Sequence, residues 1–468
     1  MKHGAGAGRL KRLGVLGLAL TLAVVGCTGE GDERYRPGAA TSGDTYFPDL
    51  GNGGYDVTSY RLFIDYDEDE LVGQASIIAT ATQGLSRFSL DLAGLSVGTV
   101  ILNGRPTTFR QNRAKLFVDA ESGLDEGKDF VVEVHYGGVP TTASHPTLGL
   151  GGFFDAEGPD AVAMGQPFSA STWFPVNDHP SDKATFEIRV AVPEGLAAVS
   201  NGALVDEWTE DGWTVRVWSE RFPMASYLAV LATGNLRIQK STHRGKPMVT
   251  AYHADVPKGG PAQRSVARTG EVADYFATLF GPYPFDSYGG IVVSDDRIKY
   301  ALETQSRPVY DASSFRSGEN LAVVAHEVAH QWFGNSVSLT RWSDMWLNEG
   351  FATYAEWLWA EHDGGPTVQQ AFARRYAVTD WSKPALDPGP DNLFSDAVYQ
   401  RGALAVHALR RTVGDDAFFT TLRTFLTEHR NGNATTEDFV ALAERVSGRQ
   451  LDALFDAWLT GKTAPKVP

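Results

Sequence analysis

Two histidines four residues apart carry the first chemical signal of this chain: His326-Glu327-Val328-Ala329-His330. On a helix, residues at that spacing share one face, so both imidazoles can reach one metal ion. Glu327, next to His326, is close enough to take a proton from water on that ion. After an eighteen-residue gap comes Asn348-Glu349-Gly350. Two histidines and a later carboxylate form the three-ligand set of a catalytic zinc, with a fourth position left for water. The chemistry this predicts is hydrolysis. The plainer alternative is a core helix whose histidines are only hydrogen-bonded.

The elements around the motif favour the metal reading. The apolar run 321–325 precedes it, Gln331-Trp332-Phe333 follows, and Gly334-Asn335 stops it, which predicts a buried helix over 321–333. A second helix over 346–361 would carry Glu349 in its first turn. A third histidine of the metzincin kind is excluded, because Phe333 and Ser336 stand where that pattern needs Gly and His.

The chain has 468 residues, 43% apolar and 11% aromatic, enough for real cores and for two large domains or three smaller ones. Its first residues read as an export signal, not as part of the fold. Lys2, Arg9, Lys11 and Arg12 precede an apolar run over 13–25 that is too short to span a bilayer well, and Gly26-Cys27 follows. Cys27 is the single cysteine, and its setting after Val24-Val25-Gly26 resembles a bacterial lipobox, where cleavage precedes a cysteine that is then lipidated. The alternative is an ordinary signal peptide with an incidental cysteine. Lipidation would tether the protein to the cell envelope, and Thr28 in place of Asp favours the outer membrane or cell surface. Without a second cysteine no disulfide forms, so stability must rest on core and metal. Losing the four basic residues of the signal takes the formal net charge from −16 to −20. Such acidity disfavours nucleic acid and anionic lipid headgroups as partners, leaving the lipid anchor as the membrane contact.

Residues 28–45 are polar and Gly-rich and predict a flexible tether. Period-two alternation then begins: Tyr60, Leu62, Ile64 and Tyr66, then Phe130, Val132, Val134 and Tyr136, then the 186–190 and 213–217 stretches, with turns at Asn103-Gly104 and Gly137-Gly138. A β-rich domain over 46–236 follows from this. Helical periods dominate 237–468, at 265–280, 321–333, 346–361, 400–412, 416–428 and 436–446. The expected class is α+β, an all-β domain followed by an α-rich one.

The chain resembles the M1 zinc aminopeptidases (gluzincins). The resemblance rests on His326-Glu327-x-x-His330, the eighteen-residue gap, Trp346-Leu347-Asn348-Glu349-Gly350-Phe351-Ala352, and Phe280-Gly281-Pro282-Tyr283-Pro284. It implies a saddle-like β domain, a thermolysin-like catalytic domain and one Zn²⁺ per chain. His326, His330 and Glu349 would be the ligands and Glu327 the general base. Tyr300-Ala301-Leu302-Glu303-Thr304 corresponds to the family's Gly-Ala-Met-Glu-Asn, with Gly and Asn replaced. By resemblance Glu303 binds the free α-amine, while the backbone of Ala301 and Leu302 lines the peptide. Tyr399, in Asp396-Ala397-Val398-Tyr399-Gln400-Arg401-Gly402, matches the transition-state tyrosine. Gln166 stands where a β-domain residue touches the amine or the first residue. Glu356, two turns after Glu349, is a candidate support for a ligand. The expected substrates are peptides with a free N-terminus. Endopeptidase or epoxide hydrolase chemistry on the same metal, or a non-catalytic surface-binding protein, are the alternatives. The long C-terminal helical domain of larger members is expected to be absent.

Overall fold

The computed structural model describes residues 34–67, 70–155 and 159–468. The export signal and Cys27 lie outside the described residues. Among those described, the first half is strand. An eight-stranded sheet runs in the order 203–210, 213–225, 183–193, 55–67, 70–81, 129–138, 96–102, 105–106, antiparallel throughout except where 55–67 lies parallel to 183–193. One face packs on the core, which is why Tyr60, Leu62, Ile64 and Tyr66 are buried while their neighbours are not. Asn103 and Gly104, at φ 49° and 76°, close the 96–102/105–106 hairpin with the positive dihedrals that Asn-Gly supplies readily. Gly137-Gly138, expected as a turn, instead continues the strand 129–138 beside Leu71 and Val72.

A second, five-stranded sheet orders 142–145, 149–155, 161–164, 230–234 and 197–200. The chain then changes sheet between Gly234 and Leu236, next to the expected domain boundary at 236/237. Strands 236–243, 246–253, 288–293 and 309–311 form a mixed sheet, parallel over its last three strands. The last two of these were not read from the sequence. Nine of their residues form a short, fully buried apolar-rich set without alternation, which periodicity does not separate from helix. Phe154, Met164, Val199 and Val230 of the five-stranded sheet pack against Val249, Ile291 and Val309 of the mixed one and against Leu302, which bridges to Val309.

Helices follow: α1 (Pro261–Ala267), α2 (Thr269–Phe280), α3 (Leu321–Ala329), α4 (Trp346–His362), α5 (Val368–Val378), α6 (Gly402–Val413), α7 (Asp415–Glu428) and α8 (Thr436–Ser447). The helix expected over 265–280 is broken at Arg268 into α1 and α2. Helix α5 was not expected. Its cap is legible in retrospect, since Thr367 and Gln370 form a capping box.

The tether expected over 28–45 is docked where it is described. Arg36–Pro37 pairs with the 85–91 strand. Asp44 is buried, accepting hydrogen bonds from the Trp342 backbone N–H (3.1 Å) and lying 3.3 Å from His179 Nε2. Its polar composition concealed this role, because a strap that crosses a protein surface is held by polar contacts.

Candidate active site

Helix α3 starts at Asn320, whose side chain accepts from the Val323 N–H (3.3 Å). It ends sooner than the apolar run suggested. From His330 on, the carbonyls of His330, Gln331 and Trp332 accept from N–H groups five residues ahead, and Gly334 turns the chain at φ 117°. His330 still has helical dihedrals, φ −57° and ψ −24°, so His326 and His330 remain one turn apart with ring centroids 4.7 Å apart. Helix α4 brings Glu349 in its first turn, where the helix dipole favours a carboxylate.

A close backbone approach aligns α4 with the segment carrying Tyr399. A Cβ on Gly350 would lie 2.9 Å from Gly402 Cα, and one on Gly402 would lie 2.9 Å from Gly350 Cα. Two glycines inside helical segments cost stability. Here they let the element bearing Tyr399 lie directly on the one bearing Glu349. Tyr399 itself stands on a single π turn over Ala397–Arg401, ahead of α6.

The three expected ligands converge. Glu349 Oε2 is 3.1 Å from His326 Nε2 and 3.3 Å from His330 Nε2. Each ring is oriented through its other nitrogen. His326 Nδ1 is 2.7 Å from Glu356 Oε1, and His330 Nδ1 is 3.0 Å from the Phe333 carbonyl. These acceptors place the N–H on Nδ1 and leave both Nε2 lone pairs facing Glu349. Two imidazole nitrogens and one carboxylate oxygen, with a cleft beside them, are the donor set of an open tetrahedral site, and the residues fit the ion. Electrostatics agrees. Burial pulls His326 down, yet Glu349 and Glu356 hold it well above its ordinary value. Burial likewise pulls on His330, but Glu349 and Glu303 carry it to about 9. Burial pushes Glu349 up, and the two histidines overcome it and pull it to about 2. The site is built to bind positive charge.

Glu327 is 4% exposed, and its Oε2 has no hydrogen-bond partner among the described residues. Burial raises its pKa to about 8; the two histidines oppose this, and Glu303 and Glu349 add to it. The Tyr399 ring lies over His326 at 5.9 Å with an interplanar angle of 16°. Burial and the neighbouring carboxylates raise its hydroxyl well above 10, so it stays a donor.

Gln166 and Glu303 meet across the two halves: Gln166 Nε2 donates to Glu303 Oε1 at 2.9 Å, and both are buried. Gln166 follows the 161–164 strand of the five-stranded sheet, so the β domain contributes directly to this cleft. The Glu303 backbone is clamped to the end of α3, its carbonyl accepting from Asn335 Nδ2 (2.7 Å) and Gln331 Nε2 (3.3 Å). Ala301 lines the cleft, as expected. Leu302 does not. It is fully buried in the core between the sheets, and its N–H and C=O are both taken by Val309 at 2.8 Å. An extended segment exposes alternate residues, so Ala301 and Glu303 face the cleft while Leu302 faces away.

The sequence reading missed several supports. Lys183 on the 183–193 strand donates to the carbonyls of Asn335 (2.8 Å), Ser336 (3.0 Å) and Gly432 (3.2 Å), pinning the β domain to the loop after His330. Tyr227 is buried beside Glu303 and Asn348. Leu148 and Tyr300 line the cleft, whose volume is about 350 Å³. None of these carries a local spacing signal.

A β domain reaching into a His-Glu-x-x-His cleft on an α-rich domain is the architecture of a zinc metallopeptidase. The chain belongs to peptidase family M1: the peptidase M1 N-terminal domain matches residues 55–228 and the peptidase family M1 domain residues 270–458. The crystal structure of an M1 zinc metallopeptidase mutant from Deinococcus radiodurans, bound to a Tyr-Ser-Ala substrate, superposes with a TM-score of 0.85 at 31% identity, covering 92% of this chain and 99% of that one. A probable aminopeptidase 2 of Sulfurisphaera tokodaii is 26% identical over 88% of this chain and 54% of its own. Aminopeptidase M1 of Arabidopsis thaliana is 28% identical over 66% of this chain and 37% of its own. The chain thus spans about a third to a half of the curated relatives it matches.

Proposed function

We propose that this protein is a zinc-dependent aminopeptidase that releases N-terminal residues from peptides. The observation that carries the reading is the buried Gln166–Glu303 pair beside the metal-ligand set. A buried carboxylate with no lysine or arginine among the described residues that line its cleft suits a protonated α-amine. Held by His326, His330 and Glu349, a zinc ion would polarise the scissile carbonyl and acidify the attacking water.

The chain's own groups do the rest. Glu303 accepts the substrate ammonium and Gln166 holds that carboxylate in place, so the first peptide bond is the one delivered to the centre. Glu327, its Oε2 free, takes a proton as the water oxygen bonds to the carbonyl carbon. Tyr399 donates to the carbonyl oxygen as negative charge gathers there. When the C–N bond breaks, Glu327 returns the proton to the leaving nitrogen. Names of aminopeptidases among the relatives, and the peptide-bound Deinococcus structure, support the reading.

The test compares aminoacyl-nitroanilides with their N-acetylated forms. Free-amine substrates should be cleaved and blocked ones not, chelation should abolish turnover, and Glu327→Gln should cost roughly 10²–10⁴-fold in kcat. Equal turnover of blocked and free substrates refutes amine recognition by Glu303. For placement, we propose export and lipidation at Cys27, which supplies the only anchor in this reading. Palmitate labelling should be present in the wild type and lost in Cys27→Ser; labelling that persists refutes it.

A further inference from the structure

Residues 34–54 lie ahead of residue 55, where the match to the peptidase M1 N-terminal domain begins, and the proposed chemistry does not use them. They form the docked strap, and its stretch 44–47 reaches the approaches to two parts of the site. Asp44 fixes its own turn, its Oδ1 accepting from the N–H groups of Tyr46 (2.7 Å) and Phe47 (3.3 Å), while its Oδ2 accepts from the Trp342 N–H (3.1 Å). Trp342 opens the turn that leads into α4 and Glu349. Burial pushes the Asp44 carboxyl up, yet His179 and the Trp342 and Tyr46 N–H groups hold it below its ordinary value. It therefore faces Trp342 as an anion. The Phe47 ring stands edge-on to Trp342 at 5.8 Å and to Phe168, close behind Gln166, at 5.1 Å.

Tyr46 reaches the approach to Tyr399. Its buried hydroxyl donates to Asp387 Oδ1 at 2.6 Å and accepts from the Gly389 N–H at 2.8 Å. Both partners sit where the chain bends sharply, Asp387 at φ 51° and Gly389 at φ 86°. A residue other than glycine in the left-handed region is held there by its surroundings. Asp387 is held at two points, its N–H by the Ser343 carbonyl (3.1 Å) and its carboxylate by Tyr46. From Gly389 the path to Tyr399 has no slack. The carbonyls of Gly389, Asn392 and Ser395 accept in turn from the N–H groups of Asn392 (3.0 Å), Ser395 (2.9 Å) and Val398 (2.9 Å), and the π turn bearing Tyr399 includes Val398. Leu393 and Val398 are fully buried, so a shift at the bend is passed along a close-packed path. From the other side the β domain holds the same loop, with His145 Nε2 2.9 Å from the Pro390 carbonyl and the Phe394 N–H donating to Thr147 Oγ1 at 3.2 Å. Strap and hairpin thus clamp it between them.

We propose that Tyr46 is a positioning residue for the transition-state step: its hydroxyl fastens the 387–389 bend, and through it the π turn, so that Tyr399 faces the carbonyl oxygen where charge gathers. A segment ahead of both matched domains is then a working part of the site. The proposal rests on the aminopeptidase reading and on the part that reading gives Tyr399. The experiment measures kcat, KM and zinc Kd with a free-amine aminoacyl-nitroanilide for the zinc-loaded full chain, as wild type, Tyr46→Phe, Tyr399→Phe and the double variant. Tyr46→Phe keeps the buried ring and loses only the hydroxyl. It should lower kcat by about tenfold, since a misplacement of about 1 Å can cost about 10²-fold and the hairpin still holds part of the loop. KM and zinc Kd should stay within about twofold of wild type, because Glu303 and the metal ligands lie on other segments. Tyr399→Phe should cost about 10²-fold or more, and in that background Tyr46→Phe should change kcat by less than about twofold, the group it positions being gone. A merely structural role gives the same loss in both backgrounds, and that result overturns the proposal. So does a kcat for Tyr46→Phe within about twofold of wild type, or a rise in KM at unchanged kcat. Tyr399→Phe with a kcat near wild type overturns the part given to Tyr399 and the proposal with it. No turnover of free-amine substrate by wild type overturns the aminopeptidase reading itself. Zinc content and a cooperative melt establish that each variant is folded; should Tyr46→Phe not fold, Asp387→Gly removes the acceptor at a φ that suits glycine and carries the same comparison.

Discussion

Glu356 touches no expected ligand atom on the metal side, yet its removal should weaken zinc binding measurably. Its Oε1 accepts the His326 Nδ1–H at 2.7 Å, fixing the tautomer that leaves Nε2 free for the ion. A hydrogen bond to a charged group contributes about 1.5–3 kcal/mol. The Glu356 side chain is 28% exposed, and solvent screening points to the lower end, about 1.5 kcal/mol, or roughly tenfold in zinc Kd. That agrees with the loss of about 10–100-fold typical when a histidine ligand loses such a partner. His330 supplies an internal control, because its Nδ1 bonds the Phe333 backbone carbonyl, which no side-chain change removes. Glu356→Gln keeps a neutral acceptor and should lose less than Glu356→Ala. Glu356 also raises the proton affinity of His326, and a proton competes with zinc for that imidazole. Removing Glu356 eases the competition, so the deficit of Glu356→Ala should widen as pH rises and protons cease to compete. Competition against a chromophoric chelator across a pH series measures this directly. A zinc Kd within twofold of wild type for a folded Glu356→Ala, at every pH, would refute the reasoning.

Two stability predictions concern groups away from the reacting atoms. The fully buried Arg307 donates to the carbonyls of Val249 (3.2 Å), Gly202 (2.8 Å) and Ser200 and lies 4.7 Å from the Trp218 ring centroid, tying the five-stranded sheet to the mixed one. Arg307→Leu leaves three carbonyls without that donor, at about 1–3 kcal/mol for each buried orphan, and should lower unfolding free energy by at least about 3 kcal/mol in urea titration; a loss under about 1 kcal/mol would contradict it. His407 lies 3.2 Å from Gln369 Oε1 through Nε2 and 3.1 Å from Tyr354 Oη through Nδ1, and burial, Arg410 and Arg411 hold it down at about 4. Its folded pKa is below the unfolded value of 6.5, so the unfolded chain binds the extra proton between those values. Stability from this group is therefore whole above pH 6.5 and is lost as pH falls towards 4, on the order of 3 kcal/mol. The urea midpoint should fall in that window for wild type, and the fall should be shallower in His407→Gln.

How far the site could be read from sequence depends on the distance over which each interaction is encoded. His326, Glu327 and His330 were legible because one helical turn sets their geometry, and Glu349 because it lies in the first turn of the second helix after a short connection. The strands of the eight-stranded sheet were legible for the same reason: solvent on one face imposes alternation. Strands 288–293 and 309–311, buried throughout, have no such contrast and were missed. Leu302 was misplaced because a motif names a segment, and only the pairing with Val309 reveals which of its residues face the cleft.

The contacts that join distant segments around the cleft are of another kind. Gln166 meets Glu303 across 137 positions, Tyr300 meets Leu150 across 150, and His145 meets Pro390 across 245. No period or spacing records these encounters, since each depends on how segments far apart in sequence pack together. The candidate metal set lies on α3, its C-cap His330 and α4, whereas the Gln166–Glu303 pair needs the β domain. The proposed hydrolytic chemistry and the proposed amine recognition are therefore encoded separately, and a perturbation of the interface should divide them. Lys183, whose ammonium holds the loop after His330 by two carbonyls and the segment after α7 by that of Gly432, sits on that interface and not on the metal ligands. Loosening it acts first on the register between Gln166 and Glu303, and the zinc ligands, packed within one domain, follow only if α3 itself shifts.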